Sequence, residues 1–152
     1  MRMRITYRTL LLFVGSLLIF LLTSCSPKEE GMKLYPVTGK VLLNDKPTEG
    51  AMVVLYAQNP ASDLKQPPTA IVKADGTFAV GTLKPEDGAP PGNYKVTILW
   101  YPPDAGVRMV ETGVASPSLL PSVYGDPNSS GLQIQVKEGP NEVPVFQLKA
   151  KK

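Results

Sequence analysis

The chain has no histidine, one cysteine and few aromatic residues. Without histidine it lacks the commonest general base, the commonest metal ligand and the usual partner of a catalytic serine or cysteine. A lone cysteine, Cys25, excludes an intrachain disulfide and any cysteine-based zinc site. Basic character is also scarcer than the net charge of +3 suggests. Three of the 16 basic residues, Arg2, Arg4 and Arg8, precede a single apolar run, and the 13 that follow it equal the 13 acidic residues. No basic stripe remains to draw a polyanion, so nucleic acid is excluded as a partner. What is plentiful is chain punctuation. All 16 prolines and 12 of the 13 glycines lie after residue 24, which suits short strands and turns better than helices.

The apolar run is Leu10–Leu22, interrupted only by Gly15 and Ser16, behind the basic stretch MRMRITYR. A basic segment before an apolar segment of this length reads as a secretory signal. The competing reading is an uncleaved membrane-spanning helix. Spanning takes about 20 apolar residues, and this run is 13 long. The run closes with Leu22-Thr23-Ser24-Cys25, which resembles the bacterial lipobox. That resemblance implies cleavage between Ser24 and Cys25, a diacylglycerol on the Cys25 thiol, and often an acyl group on the new amine. Each buried CH₂ contributes about 0.8 kcal/mol, and one chain alone binds a bilayer only marginally, so durable anchoring takes two or three. A core cysteine would not sit beside SPKEEG, and a redox cysteine would want a second thiol. Membrane lipid through Cys25 is therefore the expected partner. Ser26 after the cysteine resembles the pattern that diderm bacteria export to the outer membrane.

Three segments are expected. Residues 1–24 form the signal peptide, and 25–35 carry the lipidated cysteine and a polar tether. Residues 36–152 form a β-sandwich with a long loop at 102–131. Within it the period is mostly two. VTGKVLLN places Val37, Gly39, Val41 and Leu43 on one face. AMVVLYAQ is apolar on both faces, as in a strand with neighbours on each side. TAIVKADGTFAVG reads as a hairpin turning at Asp75-Gly76, with Phe78 and Val80 inward. NYKVTILWY alternates, with Tyr94, Val96, Ile98 and Trp100 inward and Lys95, Thr97 and Leu99 outward. LQIQVKEG and NEVPVFQLKA follow, the latter holding Pro144, which marks an edge. Seven strands without a helix predict an all-β fold, an antiparallel Greek-key β-sandwich.

Three stretches, VTGKVLLNDKPTEGAMVVLYA, ADGTFAV and PPGNYKVTI, together resemble the carboxypeptidase-regulatory-like group of transthyretin-like sandwiches. The matching positions are Val37, Gly39, Val41, Pro47, Gly50, Ala51, Val53, Asp75, Gly76, Phe78, Pro91, Gly92, Tyr94 and Val96. The remaining tail is similar to small bacterial lipoproteins that carry such a domain alone. In enzymes that carry it, this domain is an appendage, so the resemblance implies a fold and no activity. The one transthyretin-like branch with an activity, hydrolysis of 5-hydroxyisourate, uses histidines, an arginine and a C-terminal Tyr-Arg-Gly-Ser. This chain lacks histidine and ends QLKAKK.

No catalytic residue, metal or cofactor is expected. Ser116, Ser118 or Ser129 beside a lysine lacks a supporting motif. The adjacent carboxylates Glu29-Glu30 and Glu86-Asp87 point apart and cannot oppose each other across a cleft. Asp75, Asp87 and Asp126 lie in loops without the spacing of a calcium site. The candidate ligand surface is aromatic: Trp100, Tyr101 and Tyr124, which could stack against a sugar or simply bury. The leading expectation is a lipid-anchored envelope protein with a non-catalytic interaction or structural module. The alternative is a carbohydrate- or peptide-binding module, with an envelope protein or glycan as partner.

Overall fold

A computed structural model describes residues 32–59, 64 and 66–150. The expected signal peptide, the cleavage expected between Ser24 and Cys25 and the lipidation expected of Cys25 all fall outside the described residues. Residues 32–152 form a compact unit. Among the described residues nine strands build it: β1 (Val37–Leu43), β2 (Lys46–Pro47), β3 (Met52–Ala57), β4 (Thr69–Ile71), β5 (Thr77–Ala79), β6 (Gly92–Leu99), β7 (Leu132–Val136), β8 (Asn141–Glu142) and β9 (Phe146–Leu148). They form two sheets. One runs β4-β3-β6-β7; the other centres on β1, with β2, β5, β8 and β9 beside it. The all-β expectation holds.

Alternation builds the core. Val37, Val41, Phe78, Phe146 and Leu148 face inward from the sheet around β1. Val53, Leu55, Tyr94, Val96, Ile98, Ile134 and Val136 meet them from the other. Burying each such side chain contributes about 1.5–3 kcal/mol. Phe78 and Phe146 stack with centroids 6.1 Å apart. Gly39 shares this inward face because nothing larger fits. A Cβ there would stand 2.5 Å from Val143 Cγ2 and 2.6 Å from Phe78 Cζ. The β1–β2 turn is Asn44-Asp45, whose φ angles of 49° and 65° are those a two-residue primed turn requires.

The segment expected to be one hairpin is divided between the sheets. The turn is as read: Gly76 sits at φ 86° and its N–H donates to Lys73 O at 2.9 Å. Thr69 and Gly81 exchange both backbone bonds at the other end. Between these rungs, however, β4 pairs with β3 and β5 pairs with β1. The hairpin therefore bridges the two layers at one side of the sandwich.

The C-terminal pairing also differs from a wholly antiparallel sandwich. β8 and β9 both run parallel to β1. Asn141 supplies the cause. Its N–H donates to Pro36 O at 2.8 Å, and its side chain donates to Lys137 O and Gly139 O and accepts from Lys137 N. That hook starts β8 beside the beginning of β1, so the chain continues in the same direction. Pro144 lies between β8 and β9, and among the described residues both pair with β1 alone. The edge position expected from Pro144 is found.

One local expectation is corrected and another is completed. A helix, Ala105–Thr112, occupies the long loop where none was expected. Its signals are short: Asp104 at the start and Gly113 at φ 69° as the C-terminal cap. Thr97 alternates outward as expected, yet it is buried, and its hydroxyl has no hydrogen-bond partner among the described residues. The returning segment folds against β6 on that side: Asn128 Oδ1 accepts from Lys95 Nζ at 2.9 Å, and Gly125 abuts Leu99. Strand alternation cannot report a second layer laid over an outward face.

Candidate functional site

The three aromatics have different environments. Trp100 continues from β6 and is half-buried against the core. Its indole N–H donates to Glu49 O at 2.8 Å, its N–H donates to Ser118 Oγ, and its carbonyl accepts from Leu119 N. Tyr124 lies in a 3-10 turn, Ser122–Gly125, and its hydroxyl accepts from Lys149 N at 3.0 Å. Both rings pack on the core, and their polar atoms hold backbone. Tyr101 is 43% exposed, so of the three it offers the most open ring.

The loop carboxylates are used in the same way. Asp87 accepts from Thr82 N at 2.7 Å through one oxygen, and from Leu83 N and Lys84 N through the other. Thr82 Oγ1 closes the loop onto Gly88 O. Partial burial opposes ionisation of Asp87, but the three backbone donors outweigh it and hold the carboxyl below its ordinary range. Asp75 accepts from the Thr77 hydroxyl and N–H, which also lower its pKa. Asp126 accepts from Asn128 N and Ser129 Oγ. Glu86 turns the other way, to Lys73 Nζ at 2.9 Å, and that hydrogen bond raises the Lys73 pKa. The Glu86-Asp87 pair thus diverges, as expected of neighbours on a loop. Among the described residues, no group of three or more metal-capable side chains gathers.

Tyr94, one of the resemblance positions, is fully buried, and its hydroxyl donates to Pro90 O at 2.8 Å. Desolvation raises its pKa. The ring fills the core while the hydroxyl fixes the Pro90-Pro91-Gly92 entry into β6.

One cavity was not legible in the sequence. A groove of about 590 Å³ lies between β4 and the Gly81–Glu86 loop, within the roughly 300–1,000 Å³ that small-molecule sites use. Ile71, 59% exposed, and Leu83, 70% exposed, line its walls, and the Lys73–Glu86 pair stands at its margin. It opens where β4 and β5 part into separate sheets. Alternation of the ladders turns the backbone N–H and C=O of Ile71 away from β3, and those of Ala79 away from β1, toward the groove. No sequence motif marks it, because it arises from the splitting of a hairpin.

No family model matches the chain, and no curated protein does. Two solved structures are similar. One is a DUF3823 family protein from Bacteroides ovatus ATCC 8483, 16% identical, with a TM-score of 0.38 over 76% of this chain and 44% of that one. The other is a DUF3823 family protein from Parabacteroides merdae ATCC 43184, 15% identical, with a TM-score of 0.40 over 78% of this chain and 46% of that one. The chain spans less than half the length of either, and no activity or partner is carried over from them.

Proposed function

We propose that this chain is a lipid-anchored cell-envelope protein whose β-sandwich is a non-catalytic structural or protein-interaction module of the carboxypeptidase-regulatory-like kind. Location rests on Leu22-Thr23-Ser24-Cys25 behind its apolar run. The observation that carries the module reading is where the polar side chains point. Asp75, Asp87, Tyr94, Trp100, Tyr124 and Asn141 each hydrogen-bond the chain's own backbone. Such groups stiffen loops; they do not converge on a point where a substrate atom could react. The positions behind the family resemblance fit the same account, since Gly39, Phe78 and Tyr94 serve packing.

The carbohydrate-binding alternative rests on Tyr101, because the polar atoms of Trp100 and Tyr124 are engaged elsewhere. A second anchor would be needed for a stacking platform.

Metabolic labelling with a clickable palmitate analogue tests the location. Labelled wild type and an unlabelled Cys25→Ser variant are expected. Unlabelled wild type, or equal labelling of the variant, would sink the anchor.

A further inference from the structure

Edge strands offer unpaired backbone to any passing chain, and folded proteins normally blunt them with charge, proline, a bulge or a cover. The edges of this sandwich are unequal. β4 is three residues long, and its Thr69 backbone is taken by Gly81. Along β8 and β9, Pro144 removes a donor, and Glu142 and Lys149 are exposed. β5 is closed at its turn by Lys73 N to Thr77 O and at its other end by Gly81.

β7 has none of these devices. Among the described residues it pairs with β6 only. The bond from Gln58 N to Asn93 O sets the β3–β6 ladder so that Tyr94 and its alternates on β6 face β7. Tyr94 opposes Ile134, so Leu132, Ile134 and Val136 direct their backbone groups to β6. The N–H and C=O of Gln133 and Gln135 therefore face away from the sheet. Their side chains are neutral and exposed, and the strand LQIQV holds no proline, glycine or charge.

We propose that β7 is an interaction edge that pairs antiparallel with β7 of a second copy of this chain. The strand is self-complementary in that sense. Centred on Ile134, Gln133 lies opposite Gln135 of the second copy, and each exchanges both backbone bonds with the other. All five residues overlap. Leu132, Ile134 and Val136 remain on the core face in both copies, and no like charges meet. An isologous two-fold contact results, with β4-β3-β6-β7 continuing across the axis into its own copy. On the outer face Gln135 meets Gln133 of the second copy, whose amide oxygen also accepts from Gln58 Nε2 of its own sheet at 3.4 Å. This pairing goes beyond the anchoring reading and does not depend on it.

Cysteine cross-linking of the full-length protein in cells tests it, because Cys25 is the only native cysteine. Gln133→Cys and Gln135→Cys, carrying different tags, are co-expressed under a mild oxidant. A mixed-tag disulfide dimer is expected, with far less from either variant alone or from the exposed Gln147→Cys control. Placing lysine at both Gln133 and Gln135 sets like charges opposite each other, and the wild-type dimer signal with an amine-reactive cross-linker should fall about fivefold or more. Protease resistance of each variant checks that the sandwich has formed. Monomer only, a product containing a different protein, or equal linkage through Gln147→Cys would each overturn the pairing. Loss of palmitate label with the cross-link retained would sink the anchor alone, and the converse the edge alone.

Discussion

At the scale of single residues, this chain uses its polar side chains as backbone fasteners. Asp87 illustrates the economy: one carboxylate satisfies three N–H groups of the Thr82–Lys84 turn. Hydrogen bonds to a charged group contribute about 1.5–3 kcal/mol, so Asp87→Ala should lower unfolding stability by that order in urea at neutral pH. The sign with pH follows from the depressed folded-state pKa. A carboxyl held below its unfolded value stabilises above that value, and its contribution is lost as pH falls through the folded pKa. The gap between wild type and Asp87→Ala is therefore expected to narrow once pH drops below the ordinary value of 3.8. A gap that is constant from neutral to strongly acid pH would show that charge plays no part. Asp87 is also a case where sequence reasoning stopped short. The adjacent pair was correctly read as divergent, but the three-fold acceptance by Asp87 depends on the turn closing around it.

At the scale of elements, the segment between β6 and β7 shows most clearly what periodicity misses. Leu120, within the stretch PSLLPSVYG, enters the core. The helix Ala105–Thr112 was not expected: Arg108, Glu111 and Thr112 do fall at helical spacing, but two turns set between Pro102-Pro103 and Gly113 read as loop. The segment is tied down along its length by Ser118 and Leu119 with Trp100, and by Tyr124 with Lys149. Tyr124→Phe removes one tie while keeping the ring. Its expected cost is about 0.5–1.5 kcal/mol, concentrated locally. Limited proteolysis should cut faster within residues 102–131, with little change in the global unfolding midpoint. Unchanged cleavage there would mean that Lys149 does not hold the segment.

At the scale of the whole molecule, β1 is the hub, paired with β2 and β5 on one side and with β8 and β9 on the other. β1 and the much later β8 and β9 thus complete one another, and the sheet around β1 closes only when β8 and β9 arrive. Ending the chain at Gly139 removes Asn141, Val143, Phe146 and Leu148, three of them core residues. Such a chain is expected to lack a cooperative thermal transition by circular dichroism. A transition like that of the full chain would show that the parallel pairing is dispensable.

The sequence by itself determined the class of fold and most strand positions, because a period of two is written locally and each inward face needs only apolar residues at alternate places. It also determined the turn at Asp75-Gly76, where backbone conformation limits the choice of residue. The close approach at Gly39 likewise left a trace, since only glycine fits beneath Phe78 and Val143. Only the tertiary structure decided which strands share a sheet. Nothing local separates a hairpin that stays in one layer from one that parts into two, so the β4–β5 split and its groove were hidden. The parallel course of β8 and β9 depends on Asn141 reaching Pro36, far away along the chain. The open side of β7 follows from the same cause: an edge is defined by what fails to pair with it, and pairing is settled by the whole fold.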